Sequence, residues 1–282
     1  MRRFVFKILK GFFIGIIAVI FVTIGIDAAD HYDNFSESMV GRIVLGEKEG
    51  PCPAGMVFIP TENKGFCIDQ YEASANDNCL YTNPSGQENS RNNIDQPDCF
   101  PVSKKNAMPW RFISQSQAIT ACAKAGKRLP TDEEWYLASL GTPDLSKDWK
   151  EQDCQVSKNW QYQPGPTGSG ASCISSFGAY DMIGNVWEWV KGEIKDGKLN
   201  NTEMPRAGYI SAVDIKGNPI ETNINMVDFN FNHDYLWMKI DGVRGMARGG
   251  YWDNKEEAGI YSMYLVSPPT FAGTGVGFRC AK

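Results

Sequence analysis

The sequence predicts an α+β domain of short strands, two helices and long loops pinned by disulfides. Three observations lead there. A hairpin pattern opens near residue 56, two helices with legible caps fill 114–140, and eight cysteines punctuate the Gly- and Asn-rich remainder. Aromatic residues make up 12% of the chain and charged residues 22%, which supplies a core and excludes general disorder.

In chain order, the first segment is a targeting signal. Met1-Arg2-Arg3, Lys7 and Lys10 precede an apolar run over 11–26, the pattern of a signal anchor or signal peptide. The run falls slightly short of the ~20 residues that span a hydrocarbon core. It nevertheless exceeds most signal-peptide cores, and Asp27 spoils the cleavage site that Ala29 would offer. A retained membrane anchor over 1–29 is the favoured reading, with cleavage and secretion as the alternative. The basic flank puts everything after it outside the cytoplasm, in the periplasm or at the cell surface. Residues 30–50 read as a polar linker and 51–282 as one domain.

Met56-Val57-Phe58-Ile59-Pro60 reads as a strand, 61–65 as a turn, and Phe66-Cys67-Ile68-Asp69 as the returning strand. Residues 76–106, rich in Asn, Ser, Pro and Asp, read as a long loop. Ser114 with Gln117, and Thr131 with Glu134, fit capping boxes. Ala118, Ile119, Cys122 and Ala125 share one face of the first helix, and Gly126 stops it. In the second, Asp132 and Glu133 sit where the helix dipole favours acids, Trp135 and Ala138 face inward, and Gly141 ends it. Residues 142–176 read as loop. Short strands are expected at 185–190, 206–211, 247–252 and 277–281.

Eight cysteines in an extracytoplasmic chain indicate disulfides. With no CxxC pair and only His31 and His233, zinc is a poor reading. Proximity suggests Cys52–Cys67 across the hairpin, Cys79–Cys99 in the long loop and Cys154–Cys173 in 142–176. A net charge of −5 with no basic stripe beyond the N-terminus argues against a nucleic-acid partner.

Five blocks carry a family resemblance. They are Met56-Val57-Phe58-Ile59-Pro60 with Phe66-Cys67-Ile68-Asp69-Gln70-Tyr71-Glu72, then Gly126-Lys127-Arg128-Leu129-Pro130-Thr131-Asp132-Glu133-Glu134-Trp135. Gly178-Ala179-Tyr180-Asp181-Met182-Ile183-Gly184-Asn185-Val186-Trp187-Glu188-Trp189 follows. Arg248-Gly249-Gly250-Tyr251-Trp252 and Gly277-Phe278-Arg279-Cys280 close the series. In that order they resemble the formylglycine-generating-enzyme family, the sulfatase-modifying factors, over nearly all of 52–281. The resemblance implies a C-type-lectin-like fold of short twisted antiparallel strands, two flanking helices and long loops. It also implies that Cys122 pairs with Cys280. It maps a structural calcium site onto Asp181, Gly184, Val186 and Glu188, a mixture of carboxylates and carbonyls that suits this ion.

One absence decides the expected function. Catalytic members carry a copper-binding cysteine pair between the Arg-Gly-Gly and Gly-Phe-Arg-Cys blocks, and 251–267 contains no cysteine. No other side chain there replaces two soft thiolates, so no copper is expected. An iron-dependent branch of the family needs several histidines, which this chain lacks. No nucleophile elbow, phosphate loop or HExxH is present. The expectation is a non-catalytic, membrane-anchored domain that binds an unknown protein or carbohydrate ligand. The alternative is a divergent oxidoreductase of the same family acting on a protein or small-molecule thiol.

Tyr251, Asp253, Asn254, Tyr264, Ser267 and Phe271 are the candidate contacts, since rings among short polar residues form adaptable surfaces at low entropy cost. Trp252 and Tyr261 read as core. The same segment resembles the variable region of retroelement-diversified display proteins, and those six positions are the ones expected to vary. Glu257 departs from that pattern.

Overall fold

β1 (Met56–Ile59) pairs antiparallel with β2 (Phe66–Asp69), and the Thr61 hydroxyl accepts the Gly65 amide to close the turn. The computed structural model describes residues 51–62, 64–145, 147–157 and 163–282. The expected anchor over 1–29 and linker over 30–50 lie outside the described residues. Among the described residues, no helix is long and apolar enough to cross a membrane.

β3 (Ala73–Ala75) and β4 (Pro101–Ser103) form a second antiparallel pair. Between them, the stretch expected to be loop contains a helix, α1 (Gln87–Asp95), whose buried residues are Ser90 and Asn93. It docks by hydrogen bonds, which is why no hydrophobic period betrays it. Ser90 Oγ accepts the Trp110 indole N–H and donates to the Arg111 carbonyl, while Asn93 exchanges two bonds with Tyr81.

α2 (Gln115–Lys124) and α3 (Asp132–Ser139) both start with complete capping boxes. On α2 the buried residues are Gln115, Ala118, Ala121 and Cys122, whereas Ile119 faces out at 48% exposure. The rotation is set by polar and covalent anchors. Gln115 donates to the Val190 and Gly192 carbonyls, and Cys122 is bonded to Cys280.

The main sheet has nine strands. They are β5 (Trp187–Lys195), β6 (Lys198–Leu199), β7 (Thr202–Glu203), β8 (Gly208–Val213), β9 (Pro219–Asn223), β10 (Tyr235–Met238), β11 (Val243–Arg248), β12 (Met263–Leu265) and β13 (Val276–Phe278). Their order is β7-β6-β5-β11-β12-β10-β8-β9, with β13 also on β5. Most pairings are antiparallel; β13–β5 and β10–β12 are parallel.

The strands expected at 185–190 and 206–211 form with shifted ends, whereas β11 at Val243–Arg248 and β13 at Val276–Phe278 meet the expected 247–252 and 277–281 in only two residues each. β5 begins at Trp187 because Asn185 sits at φ +54°, and β11 stops at Arg248 because Gly249 and Gly250 turn at φ +90° and +89°. A Cβ on Gly250 would lie 2.4 Å from that of Ala258, so this corner requires glycine.

Period-two alternation divides the sheet's side chains between two layers. Trp187, Trp189, Ala247, Trp237 and Tyr264 pack with Trp110, Ile113 and α2. Val190, Ile194, Leu236, Met246, Met263 and Leu265 pack with Trp135 and Ala138 of α3. Four disulfides, Cys52–Cys67, Cys79–Cys99, Cys122–Cys280 and Cys154–Cys173, engage every cysteine.

Candidate functional site

Register builds a row of rings across the sheet. Tyr235 lies opposite Tyr209 and Trp237 opposite Tyr264, while Tyr235 and Trp237 are two apart on β10 and so share a face. Centroids step from Tyr209 to Tyr235 at 5.1 Å, to Trp237 at 4.8 Å, to Trp187 at 5.3 Å and to Tyr264 at 5.7 Å. These separations fall where aromatic pairs attract, at about 0.5–1.5 kcal/mol each. Trp187 is buried; the other four rings are half-buried.

The six expected contact residues divide into rings and supports. Tyr251 and Tyr264 pack against the same core layer as Trp237, and the Tyr251 ring meets Trp252 at 4.9 Å. Burial, and then the Asp253 carboxylate, raise the Tyr251 phenol above its ordinary pKa. Asn254 is a support: its Oδ1 accepts the Tyr251 N–H at 2.8 Å and closes the turn. Ser267 is 8% exposed, and its hydroxyl lies 2.6 Å from the Tyr264 hydroxyl, which orients that ring. Phe271 is 38% exposed, and among the described residues no ring contact joins it to the row. Sequence reasoning missed Tyr209, Tyr235 and Trp237. The alternation Tyr235-Leu236-Trp237-Met238 was the signal available.

Two carboxylates hold the loop between these rings. Asp234 accepts the Tyr261 N–H at 2.7 Å and Asp144 accepts the Ile260 N–H at 3.3 Å. Among the described residues, the Oδ1 of each is buried without a hydrogen-bond partner of ordinary geometry. A Cβ on Gly259 would fall 1.7 Å from Asp234 Oδ1, so the loop passes only as glycine. Burial pushes Asp144 up to about 7, and burial followed by the Asp144 charge pushes Asp234 well above the usual carboxylate range. A raised folded-state pKa contributes stability that is complete below the unfolded value and lost as pH rises through about 7. The melting temperature is therefore expected to fall between pH 5 and 8. Asp144→Asn should flatten that fall and raise the pH 8 value by about 3 °C or more, the shift that about 1 kcal/mol gives in a domain this size. Parallel pH profiles for both proteins would contradict this.

Beneath β5 lies a charged knot. Arg279 is fully buried, and its Nε and Nη2 donate to the two Glu188 oxygens at 2.6 and 2.5 Å. The Trp135 indole adds a third donor to Glu188 at 2.6 Å. Asp181, at φ +56°, accepts the Gly168 N–H. Glu72 accepts from Asn185 Nδ2 and from the Val186 N–H, and Gly184 donates its N–H to the Gly249 carbonyl. Burial pushes Asp181 up to about 7; burial and then the Asp181 charge raise Glu72 well above its ordinary value.

Of the residues to which the resemblance assigns calcium, Asp181 presents a carboxylate, and Gly184 and Val186 lie in the same tight loop. Glu188 is already engaged by Arg279 and Trp135. Among the described residues, no three acidic, histidine or cysteine side chains converge on a metal position. The donor chemistry suits calcium in its oxygens: the buried carboxyl groups of Asp181 and Glu72, whose pKa values burial raises, would ionise on binding a dication.

A disulfide-pinned sheet of this topology, with two capped helices and a buried Arg–Glu tie, is a C-type-lectin-like fold of the formylglycine-generating type. The chain belongs to the sulfatase-modifying factor enzyme 1-like domain family, which it matches over residues 41–282. It is 26% identical over 159 residues to the formylglycine-generating enzyme of Mycobacterium tuberculosis, covering 50% of this chain and 49% of that protein. It is 28% identical over 131 residues to the inactive C-alpha-formylglycine-generating enzyme 2 of Bos taurus, covering 42% and 44%. The chain thus spans about half the length of these relatives. Among solved structures, the Major Tropism Determinant P3c variant aligns over 83% of this chain and 54% of its own, at 15% identity and a TM-score of 0.43.

Proposed function

We propose that the chain is a membrane-tethered, extracytoplasmic binding domain that carries out no formylglycine chemistry and engages a protein surface through its aromatic row. The row is the observation that carries the proposal. Half-buried Tyr and Trp rings fixed in register on a sheet give large contact area with little ordering cost on binding. The cysteines point the same way. Oxidation at copper(I) needs two thiolates, 251–267 has no cysteine, and all eight cysteines stand in disulfides. The tether rests on the basic flank and apolar run over 1–26.

The test has two arms. The full chain is supplied with copper, oxygen and a cysteine-containing sulfatase peptide; no formylglycine is expected, and turnover above a metal-free control would overturn the proposal. A photo-crosslinking amino acid is then placed at Tyr264 in intact cells, with Ile215, 94% exposed, as the comparison position. A discrete adduct at Tyr264 that disappears on Trp237→Ala is expected, and identical adducts at both positions would contradict it. The proposal extends to diversification of Tyr251, Asp253, Asn254, Tyr264, Ser267 and Phe271. Sequencing many clones of the locus should show variation confined to those codons, and uniform codons would end that part.

Calcium is proposed at the knot, drawing on Asp181, the carbonyls of Gly184 and Val186, and Glu188 shared with Arg279. A dication would favour the ionised forms of Asp181 and Glu72, which burial disfavours. At pH 7, calcium is expected to raise the melting temperature by several degrees over chelator, the effect of a ligand that binds the folded chain alone. An unchanged transition would remove calcium from this loop.

A further inference from the structure

The β3–β4 hairpin carries a cavity that belongs to neither site above. It holds about 510 Å³ and is lined by both strands together with Thr82, Asn83, Asn106 and Met108. That volume lies within the range of small-molecule pockets, roughly 300–1,000 Å³. Ser74 lines it at 1% exposure, and its hydroxyl has no hydrogen-bond partner among the described residues. Buried hydroxyls are nearly always partnered, so this one marks a place where a ligand oxygen fits.

The remaining lining narrows the chemistry. Ser103 Oγ accepts the Tyr71 N–H at 3.0 Å and keeps its own proton to donate. Asn83 accepts from Arg111 through Oδ1, which leaves its amide protons for another acceptor. Asn76 is committed through its side chain to the Asp98 carbonyl and the Phe100 N–H, and its own carbonyl accepts the Cys79 N–H, so it shapes the wall. Asp77 and Lys104 stand 4.0 Å apart on the rim and cancel in charge. No aromatic side chain is among the lining residues. A cavity without net charge or a flat apolar wall does not suit a phosphate, a carboxylate or an aromatic ring. It suits a neutral ligand dense in hydroxyls.

We propose that this cavity binds a neutral mono- or disaccharide, with sugar hydroxyls bonded to Ser74, Ser103 and Asn83. The site stands apart from the aromatic row, none of whose rings lines it. The full chain is titrated with glucose, galactose, mannose and N-acetylglucosamine, each read by saturation-transfer NMR. At least one sugar is expected to give a saturable signal. Ser74→Ala and the solvent-exposed change Asn83→Ala should each weaken it about tenfold or more, and Val102→Trp, which fills the cavity, should abolish it. Trp237→Ala, which disables the aromatic row, is the discriminating arm, and sugar binding should persist in it. Absence of a saturable signal for all four sugars would overturn the proposal. So would binding that survives both Ser74→Ala and Asn83→Ala, or binding that is lost in Trp237→Ala.

Discussion

Arg279→Leu is expected to cost about 3–5 kcal/mol, the range found when one partner of a buried ion pair is removed. Both partners are out of solvent, at 0% for Arg279 and 1% for Glu188. The guanidinium also donates to the Asp69 carbonyl at 3.0 Å and to the Tyr180 carbonyl at 2.8 Å. Leucine would leave the Glu188 carboxylate with the Trp135 indole alone and strip a donor from two carbonyls. The net contribution of the pair is smaller than this loss, because desolvation offsets much of the attraction. Adding Glu188→Gln to Arg279→Leu should therefore cost clearly less than the two single changes together, by about 1–3 kcal/mol. Urea unfolding of the four proteins reads both numbers. A single-variant loss below about 1 kcal/mol would mean that water relieves the stranded carboxylate, and the knot would not be a dry tie.

Replacing both Cys122 and Cys280 by alanine is expected to cost about 5 kcal/mol in the chain-entropy account of cross-links. The bond separates its partners by 158 residues, against 15, 20 and 19 for the other three. The short loops should be worth about 3 kcal/mol each by the same account. Denaturant unfolding of four double-alanine variants gives the ranking directly. A local pair outranking Cys122–Cys280 would show that packing around the sulfurs, not denatured-state freedom, governs these bonds.

What the sequence disclosed follows from which interactions leave a local pattern. The capping boxes at Ser114 and Thr131 were legible because each lies within four residues and uses particular side chains. The β1–β2 hairpin was legible for the same reason. α1 was not, since Ser90 and Asn93 dock it by hydrogen bonds that composition reads as loop. Ile119 was assigned inward on spacing, but the rotation of α2 depends on Gln115 and Cys122 reaching partners far along the chain. The aromatic row was half legible. Tyr264 stood out in the segment between the Arg-Gly-Gly and Gly-Phe-Arg-Cys blocks, while Tyr209, Tyr235 and Trp237 are joined to it only by strand register and ring contacts. Asn254 and Ser267 looked like contacts because polarity does not reveal whether a side chain faces outward or supports its neighbours.

The stretch that ends the domain has a consequence for timing. β13 lies parallel beside β5, Ala281 bridges both Ile68 and Arg128, and Lys282 exchanges backbone bonds with Cys67. Partners synthesised from 89 residues earlier (Trp187 before Val276) to 215 residues earlier (Cys67 before Lys282) wait for this segment, and so does the sulfur of Cys122. Contacts so distant along the chain make assembly slow. They also postpone it: until 276–282 has emerged, β2, β5 and α2 lack a shared neighbour.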